Sequence, residues 1–520
     1  MRKFSRLRKN LLSPSSAVLA VVSALLLVLA FPDFELWPLA WIALGPLFFA
    51  VERERDSVVK SFLTGWLFGL VFFFGTCWWL TFAPITYAAM PWPLVYFFMV
   101  CVAATVGVFP GIFAALLSVL LKRRGGYAII FAPFLWTFTE FLRMWLTGNN
   151  WNAIGYSQAF NPFVIYGAEF GGVLLISFLV VGGNTLFYSI VFNRSAPKSA
   201  KLIIGLAVVV AGVLVAGRLA NPNPDLSCKE CPRIVAVQPN VPMDGLTYEK
   251  YERLLRRHFE LAENALKERT VSADDQTTIV FPESPMIFQY GRDDELQKVL
   301  GDFAVRNHAA LLFNSAEPTR DGKRVMNSAV MIDAAGRKVG QYDKIHLLPF
   351  GEYIPFPEPL ASAMPAFVGN FQFGDEYDLL PFGSLKGGVM ICFESHFGDL
   401  SREYASRGAD LLVEMTNDGY LGKTPVLRQH LANSVFRAVE TNRPLVRVTN
   451  VGVTALIDAN GGVHDAADVY AEATRVWTVA PPDKKPTIYV RFGEWFAWLC
   501  SIASLGLILS ALLKRKGLEE

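Results

Sequence analysis

Gly388-Val-Met-Ile-Cys-Phe-Glu394 is an apolar strand pattern that ends in a thiol and a carboxylate. Two upstream segments have related forms. Val280-Phe-Pro-Glu-Ser284 closes an apolar run with a carboxylate, and Tyr342-Asp-Lys-Ile-His346 carries an amine in a loop. Short apolar runs bounded by turn or polar residues read as strands of a covered sheet. Around them, strands are expected at Arg233–Gln238, Thr277–Phe281, Ala309–Ser315, Ser328–Ile332, Leu385–Cys392 and Leu411–Thr416, with a hairpin pairing Leu445–Thr449 with Val453–Ile457. Helices are expected at Tyr248–Thr270, 294–308, 399–407 and from Thr424-Pro425 to about Asn442. Thr followed by Pro has the chemistry of a helix N-cap and first turn. Strands alternating with helices give a layered α/β domain.

The rest of the chain has a different character. Of 520 residues 52% are hydrophobic and 41 are Phe, which is too apolar for an ordinary soluble protein. The excess lies in residues 17–218 and in a last run near the C-terminus. A bilayer core takes about 20 apolar residues per helix. That ruler marks eight spans, at 15–31, 37–51, 61–82, 92–121, 126–145, 161–192, 201–218 and 496–513. The organisation read from this is a seven-span bundle at 1–219, a linker at 220–232, the α/β domain at 233–494, and a final span with its tail at 495–520.

Basic loops give an orientation. Met1–Asn10 holds five Lys or Arg, the loops at 52–60, 122–124 and 193–201 are basic, and Lys514-Arg-Lys516 ends the chain. Eight spans put all of these on the cytoplasmic side and the α/β domain on the other. The first run also has the basic start of a cleavable signal peptide, but its removal would invert every later loop. A net charge of +2 without a basic stripe gives no nucleic-acid footprint.

Cys77, Cys101 and Cys500 lie in expected spans and read as packing residues. Cys228-Lys-Glu-Cys231 fits a local disulfide outside the cytoplasm, and no further ligands lie near it to make a metal site. His346, His396 and His430 have no metal-ligand spacing. Glu140 and Arg143 are three apart on a span and read as a structural pair, the alternative being a contact with a substrate headgroup. Trp151 and Tyr156 suit interfacial anchors.

Cys392, Glu283 and Lys344 together can form a covalent catalyst. A cysteine attacks as its thiolate, so it needs a base or a positive neighbour. Glu283 can take the thiol proton and return it later. Lys344 can favour the thiolate and hold a developing oxyanion. Each residue alone has a plainer reading: a core cysteine, a solvated turn carboxylate, a surface lysine.

In this order the three motifs resemble the nitrilase (carbon–nitrogen hydrolase) superfamily. Lys344-Ile-His-Leu-Leu-Pro-Phe-Gly-Glu-Tyr-Ile-Pro355, Thr416-Asn-Asp-Gly-Tyr-Leu-Gly422, Arg437-Ala-Val-Glu-x-x-Arg-Pro444 and Thr449-Asn-Val-Gly452 are similar to its membrane branch, the apolipoprotein N-acyltransferases, as is Asn150-Trp-Asn-x-x-Gly-Tyr-Ser-Gln158. The resemblance covers nearly the whole chain. It implies a bundle of about eight transmembrane helices with a nitrilase-like αββα sandwich, on the periplasmic side of a bacterial inner membrane.

It also implies acyl transfer from a phospholipid donor to a diacylglyceryl apolipoprotein acceptor, through a thioester on Cys392. Glu283 would be the base and acid, and Lys344 the oxyanion support. Glu352 would support them, and Phe393 and Glu394 would shape the pocket. Trp151, Tyr248, Asn417 and Tyr420 are carried over as substrate contacts. No cofactor or metal is implied, and a monomer is favoured.

The chain departs from the branch at Phe393, where Tyr is frequent, at Gly419-Tyr420-Leu421 in the lid loop, and at Tyr248 in place of Trp. A membrane-tethered amidase acting on a small substrate is the alternative, and a binding protein without chemistry is a third. A tether needs one span, whereas seven ahead of the catalytic domain fit the handling of lipids.

Overall fold

The computed structural model describes residues 12–192, 212, 215–219, 228, 231–243, 245, 247–267, 276–283, 286, 288–355, 371–482 and 486–513. Two compact units emerge. One comprises residues 1–222, 424–432 and 492–520, and the other residues 223–423 and 433–491.

The first unit is helical. Five helical stretches among the described residues are long and apolar enough to cross a membrane: Val58–Thr86, Trp92–Arg124, Gly126–Thr147, Ile165–Val191 and Trp495–Leu513. The first expected span is a shorter apolar helix, Pro14–Leu29, which starts under a Ser13 cap. The run at 37–51 is broken. A 3-10 turn at Trp37–Trp41 precedes the nine-residue helix Gly45–Arg53. Pro38 and Pro46 each fall in a first turn, where a missing N–H is tolerated, so the chain restarts its helix instead of extending one. Of the run at 201–218, only 212 and 215–218 lie among the described residues. Cys500 is buried, but Cys101 is exposed on its helix rather than packed, contrary to expectation.

Close helix contact in this unit depends on missing side chains. A Cβ on Gly65 would lie 2.2 Å from the Pro110 carbonyl oxygen, and one on Gly69 would lie 2.7 Å from Gly107 Cα. Small residues four apart let apolar helices touch where lipid offers no hydrophobic drive.

Among the described residues the second unit holds twelve strands in two six-stranded sheets. In chain order they are β1 (Arg233–Gln238), β2 (Thr277–Val280), β3 (Ala310–Pro318), β4 (Val325–Ile332), β5 (Lys338–Asp343) and β6 (Leu379–Phe382). Then follow β7 (Leu385–Ile391), β8 (Leu411–Thr416), β9 (Leu445–Thr449), β10 (Ala455–Ile457), β11 (Val463–His464) and β12 (Ala473–Thr478). One sheet runs β12-β1-β2-β3-β4-β5 and the other β11-β10-β9-β8-β7-β6. Each has a parallel centre, β1-β2-β3 or β7-β8-β9, with antiparallel flanks. Parallel centres need cover on both faces, which explains why their strands are buried almost throughout and largely apolar instead of alternating.

Helices Tyr248–Lys267 and Asp294–Asn307 cover the first sheet, and Phe259 stacks on Phe303 with ring centroids 4.1 Å apart. Helices Gly398–Ser406 and Val426–Thr441 accompany the second, the first seven residues of Val426–Thr441 grouping with the helical unit. Polar contacts tie the inner faces of the sheets together: Thr449 donates to Gln238 Oε1 at 3.1 Å, and Asn450 Nδ2 to the Val241 carbonyl at 2.9 Å. The result is an αββα sandwich.

β5, β6, β11 and β12 have no counterpart in the sequence reading. All four are edge strands: β5, β11 and β12 are half-polar and β6 carries Pro381, patterns that resemble loops until a neighbouring strand pairs with them. Cys228 and Cys231 are joined as a disulfide.

Gly388 on β7 lies against the buried ring of Tyr404, where an added Cβ would come within 2.4 Å of Cγ. Gly388→Ala should therefore destabilise the sandwich by about 1–3 kcal/mol through overpacking. Gly301→Ala, in an open part of a helix with its nearest atom at 3.7 Å, should stabilise it by about 0.5–1 kcal/mol. Thermal unfolding in detergent measures both, and opposite signs are expected.

Candidate active site

Three strand ends meet in the second unit. Glu283 lies just past β2, Lys344 directly follows β5, and Cys392 directly follows β7. β2 and β5 belong to one sheet and β7 to the other, so the site is assembled between the two layers.

Lys344 is at the centre. Its ammonium is 1% exposed, 2.9 Å from Glu352 Oε2 and 3.6 Å from Glu283 Oε1. Its backbone N–H donates to the Asn327 carbonyl at 2.9 Å, which fixes the residue beside β4. Burial works against the lysine charge, but Glu352 and Glu283 outweigh it and hold its pKa well above the ordinary value. Lys344 therefore stays protonated.

Asn327 joins the two carboxylates. Its amide nitrogen is 3.2 Å from Glu283 Oε1 and 2.6 Å from Glu352 Oε1, and its own oxygen accepts from Asn314 at 2.7 Å. The Asn417 backbone N–H donates to Glu283 Oε2 at 3.2 Å. Burial raises the Glu283 pKa, with Lys344 pulling against it. A carboxylate whose anion is partly destabilised is a stronger base than one in water.

Cys392 has φ +54°, in the left-handed region that non-glycine residues rarely enter. It starts a 3-10 turn, Cys392–His396, immediately after β7. The turn places the thiol at the end of the strand, and it hydrogen-bonds with Glu283. Burial, then the Glu283 charge, push the thiol pKa well up, with Lys344 acting the other way. The resting thiol is therefore neutral, and it would have to lose its proton to act as a nucleophile.

Glu394, two residues on, is fully buried and hydrogen-bonds to Tyr342 and to the backbone. It accepts from Tyr342 OH at 2.7 Å, Ile345 N at 2.7 Å, His346 N at 3.0 Å and Ile391 N at 2.8 Å. The Cys392 turn and the Lys344 loop are thereby tied together. Burial raises its pKa to about 7 despite the Lys344 charge and these donors. The Phe393 ring lies against His396 and Phe397.

The residues carried over as substrate contacts separate. Asn417 is buried and joins through its backbone, while its side chain caps the turn Asp418–Leu421 by accepting from Gly419 N at 3.1 Å. Tyr420, in that turn, is 48% exposed. Tyr248 opens its helix at 75% exposure, and its hydroxyl pairs with Glu252. Trp151 belongs to the helical unit, where its indole N–H donates to Gln429 Oε1 at 3.0 Å. The nearby Glu140 accepts from Ile154 N at 2.9 Å, and Arg143 donates to Asn150 Oδ1 at 2.8 Å and to the Trp151 carbonyl at 3.1 Å. Both are thus engaged with their own bundle. The sequence reading missed Asn327, whose part depends on two carboxylates brought to it from other segments of the chain.

Comparison with known proteins accounts for both units. A family model described as apolipoprotein N-acyltransferase N-terminal domain matches residues 23–186, and one described as carbon-nitrogen hydrolase matches residues 236–488. An apolipoprotein N-acyltransferase of Geobacter metallireducens is 30% identical over 97% of this chain and 96% of its own length. The chain belongs to the apolipoprotein N-acyltransferase family. Among other members of the apolipoprotein N-acyltransferase family, that of Haemophilus influenzae is 28% identical, covering 96% of this chain and 95% of its own, and that of Photobacterium profundum is 26% identical, covering 98% of each.

Lys344→Met would leave Glu283 and Glu352 buried without their shared cation. The sandwich should lose about 3–5 kcal/mol at pH 8. The loss should shrink as pH falls and Glu283 takes up a proton, and thermal unfolding across pH measures it. Glu394 has a separate signature. Its pKa rises on folding from 4.5 to about 7, so its contribution to stability is full below 4.5 and is lost as pH rises through 7. Glu394→Gln should remove that fall, worth up to about 3 kcal/mol, whatever the variant's absolute stability.

Proposed function

We propose that this protein transfers an acyl chain from a phospholipid to the N-terminal α-amine of a diacylglyceryl-cysteine apolipoprotein, completing lipoprotein maturation. One observation carries the reading: a thiol, a carboxylate and a buried ammonium converge in a chain related over nearly its whole length to proteins named for that transfer. The amidase alternative has less support, because the relatives match through the membrane segment as well as the hydrolase-like domain.

In the proposed first half-reaction, Cys392 Sγ attacks the ester carbonyl of the phospholipid while Glu283 takes the thiol proton. The Lys344 ammonium supports the negative oxygen of the tetrahedral intermediate, and Glu352 holds that ammonium in place. Collapse breaks the ester C–O bond. Glu283 returns the proton to the departing alkoxide, leaving a thioester and a lysophospholipid. In the second half, the free α-amine attacks the thioester carbonyl. The C–S bond breaks, Glu283 relays the proton from nitrogen to sulfur, and an amide and the free thiol result. No step needs a cofactor. Tyr420, exposed beside the Asn417 turn, is the side chain we assign to substrate contact.

The wider setting is part of the same proposal. We read eight spans, seven before a linker at 220–232 and one after the catalytic domain at 233–494, with that domain in the periplasm and the chain in the inner membrane as a monomer. The five long apolar helices and the basic loops support this reading.

Purified protein incubated with phosphatidylethanolamine carrying a labelled acyl chain should form a hydroxylamine-sensitive adduct. A diacylglyceryl peptide with a free α-amine should discharge it. Cys392→Ala should form none, and Glu283→Gln should form it about 10²- to 10⁴-fold more slowly. A wild type without adduct would sink the acyltransferase reading, and an adduct on Cys392→Ala would move the nucleophile elsewhere.

A further inference from the structure

The catalytic unit contains a second buried charge cluster that the scheme above does not use. Arg447 on β9 and Glu414 on β8 are fully buried, and Asp418, just beyond β8, is 2% exposed. Arg447 and Glu414 stand opposite each other in the β8–β9 ladder. Arg447 Nη1 pairs with Glu414 Oε1 and donates to Ser434 Oγ at 3.1 Å, and Nη2 donates to Asp418 Oδ2 at 2.9 Å. The Ser434 hydroxyl donates to Glu414 Oε2 at 2.5 Å.

Burying three charges is costly, and a well-packed apolar trio would hold two strands together at least as well. Stability alone therefore does not account for the cluster. Its connections do. Asp418 begins the turn Asp418–Leu421, and the residue before it, Asn417, donates its backbone N–H to Glu283 Oε2 at 3.2 Å. The Asn417 side chain is itself held, accepting from Asn450 Nδ2 at 3.1 Å. A continuous path runs from the Arg447 guanidinium through the Asp418 carboxylate and the backbone of one turn to the carboxylate facing the thiol.

We propose that Arg447 and Asp418 are positioning residues for the general base. Arg447 clamps Asp418, the clamp fixes the turn, and the Asn417 N–H then holds Glu283 in register with Cys392. The proposal rests on the acyl-transfer reading for its substrate, but not for its test.

Asp418→Asn is nearly isosteric and gives a clean sign. The Asp418 charge disfavours the Cys392 thiolate, so removing it would by itself speed reactions of the thiol. A slower reaction can then come only from lost position. Two rates are to be measured on the full-length protein in detergent: adduct formation from phosphatidylethanolamine in a single turnover, and alkylation of Cys392 by iodoacetamide followed by mass spectrometry. Both should fall about 10- to 100-fold in Asp418→Asn, with the phospholipid KM unchanged. The double variant with Glu283→Gln should be no slower than Glu283→Gln alone, because both act through one carboxylate.

Arg447→Lys keeps the charge but loses the two-pronged geometry, and it should reproduce the pattern if Asp418→Asn folds poorly. Rates unchanged or raised in a folded variant, or effects that multiply with Glu283→Gln, would overturn the proposal. If wild type is alkylated but never acylated, the acyltransferase reading fails while the alkylation rates still decide this one.

Discussion

The catalytic unit is organised around one buried charge. The Lys344 ammonium is 1% exposed, and an isolated ammonium at such a site would give up its proton or unfold its surroundings. Two carboxylates prevent this, Glu352 at 2.9 Å and Glu283 at 3.6 Å. They bring their own cost, because two neighbouring carboxylates repel each other. Asn327 eases it by donating to both, and its oxygen is occupied by Asn314. Residues from four places in the chain are thus fixed in one arrangement. Removing Lys344 leaves two buried carboxylates without their shared cation, so the arrangement is unforgiving at its centre.

Cys392 enters this arrangement from the opposite sheet. Cys392 leaves β7 with a positive φ, a backbone strain of order 1–3 kcal/mol that persists only where surroundings over-determine it. Glu394 supplies that constraint by binding backbone N–H groups of both the Cys392 turn and the Lys344 loop. The two carboxylates near the thiol therefore have different parts to play. Glu283 hydrogen-bonds with the thiol, whereas Glu394 spends its hydrogen-bonding capacity on three backbone N–H groups and the Tyr342 hydroxyl. Burial keeps the thiol neutral at rest.

Acyl transfer between lipids also explains the composition of the chain. Its donor and acceptor both carry acyl chains that a soluble enzyme could not hold in water. A bundle of apolar helices, with close contacts at Gly65 and Gly69, provides the complementary half of such an enzyme. The hydrolase-like sandwich supplies chemistry that would otherwise end in hydrolysis.

Much of this was legible in the sequence. The apolar runs around Val280, Val389 and Val413 specified buried parallel strands, because only covered sheets tolerate apolar residues on both faces. The polar ends of the first two runs and the Asp343-Lys344 loop specified where chemistry could sit. Charge spacing and run length marked the membrane part, although Pro38 and Pro46 broke one expected span where hydropathy alone saw continuity. Edge strands such as β5 and β12 were not legible, since their half-polar patterns become strands only by pairing with a neighbour. Asn327, the Asn417 backbone N–H, and the Arg447–Asp418 pair were likewise hidden. Each acts through atoms brought together from distant parts of the chain, and no local pattern encodes such a distance. The sequence by itself determined which groups could react and that their domain accompanies a membrane bundle. Only the tertiary structure decided which carboxylate faces the thiol and which binds the backbone, because burial and hydrogen-bond direction, not residue type, separate Glu283 from Glu394.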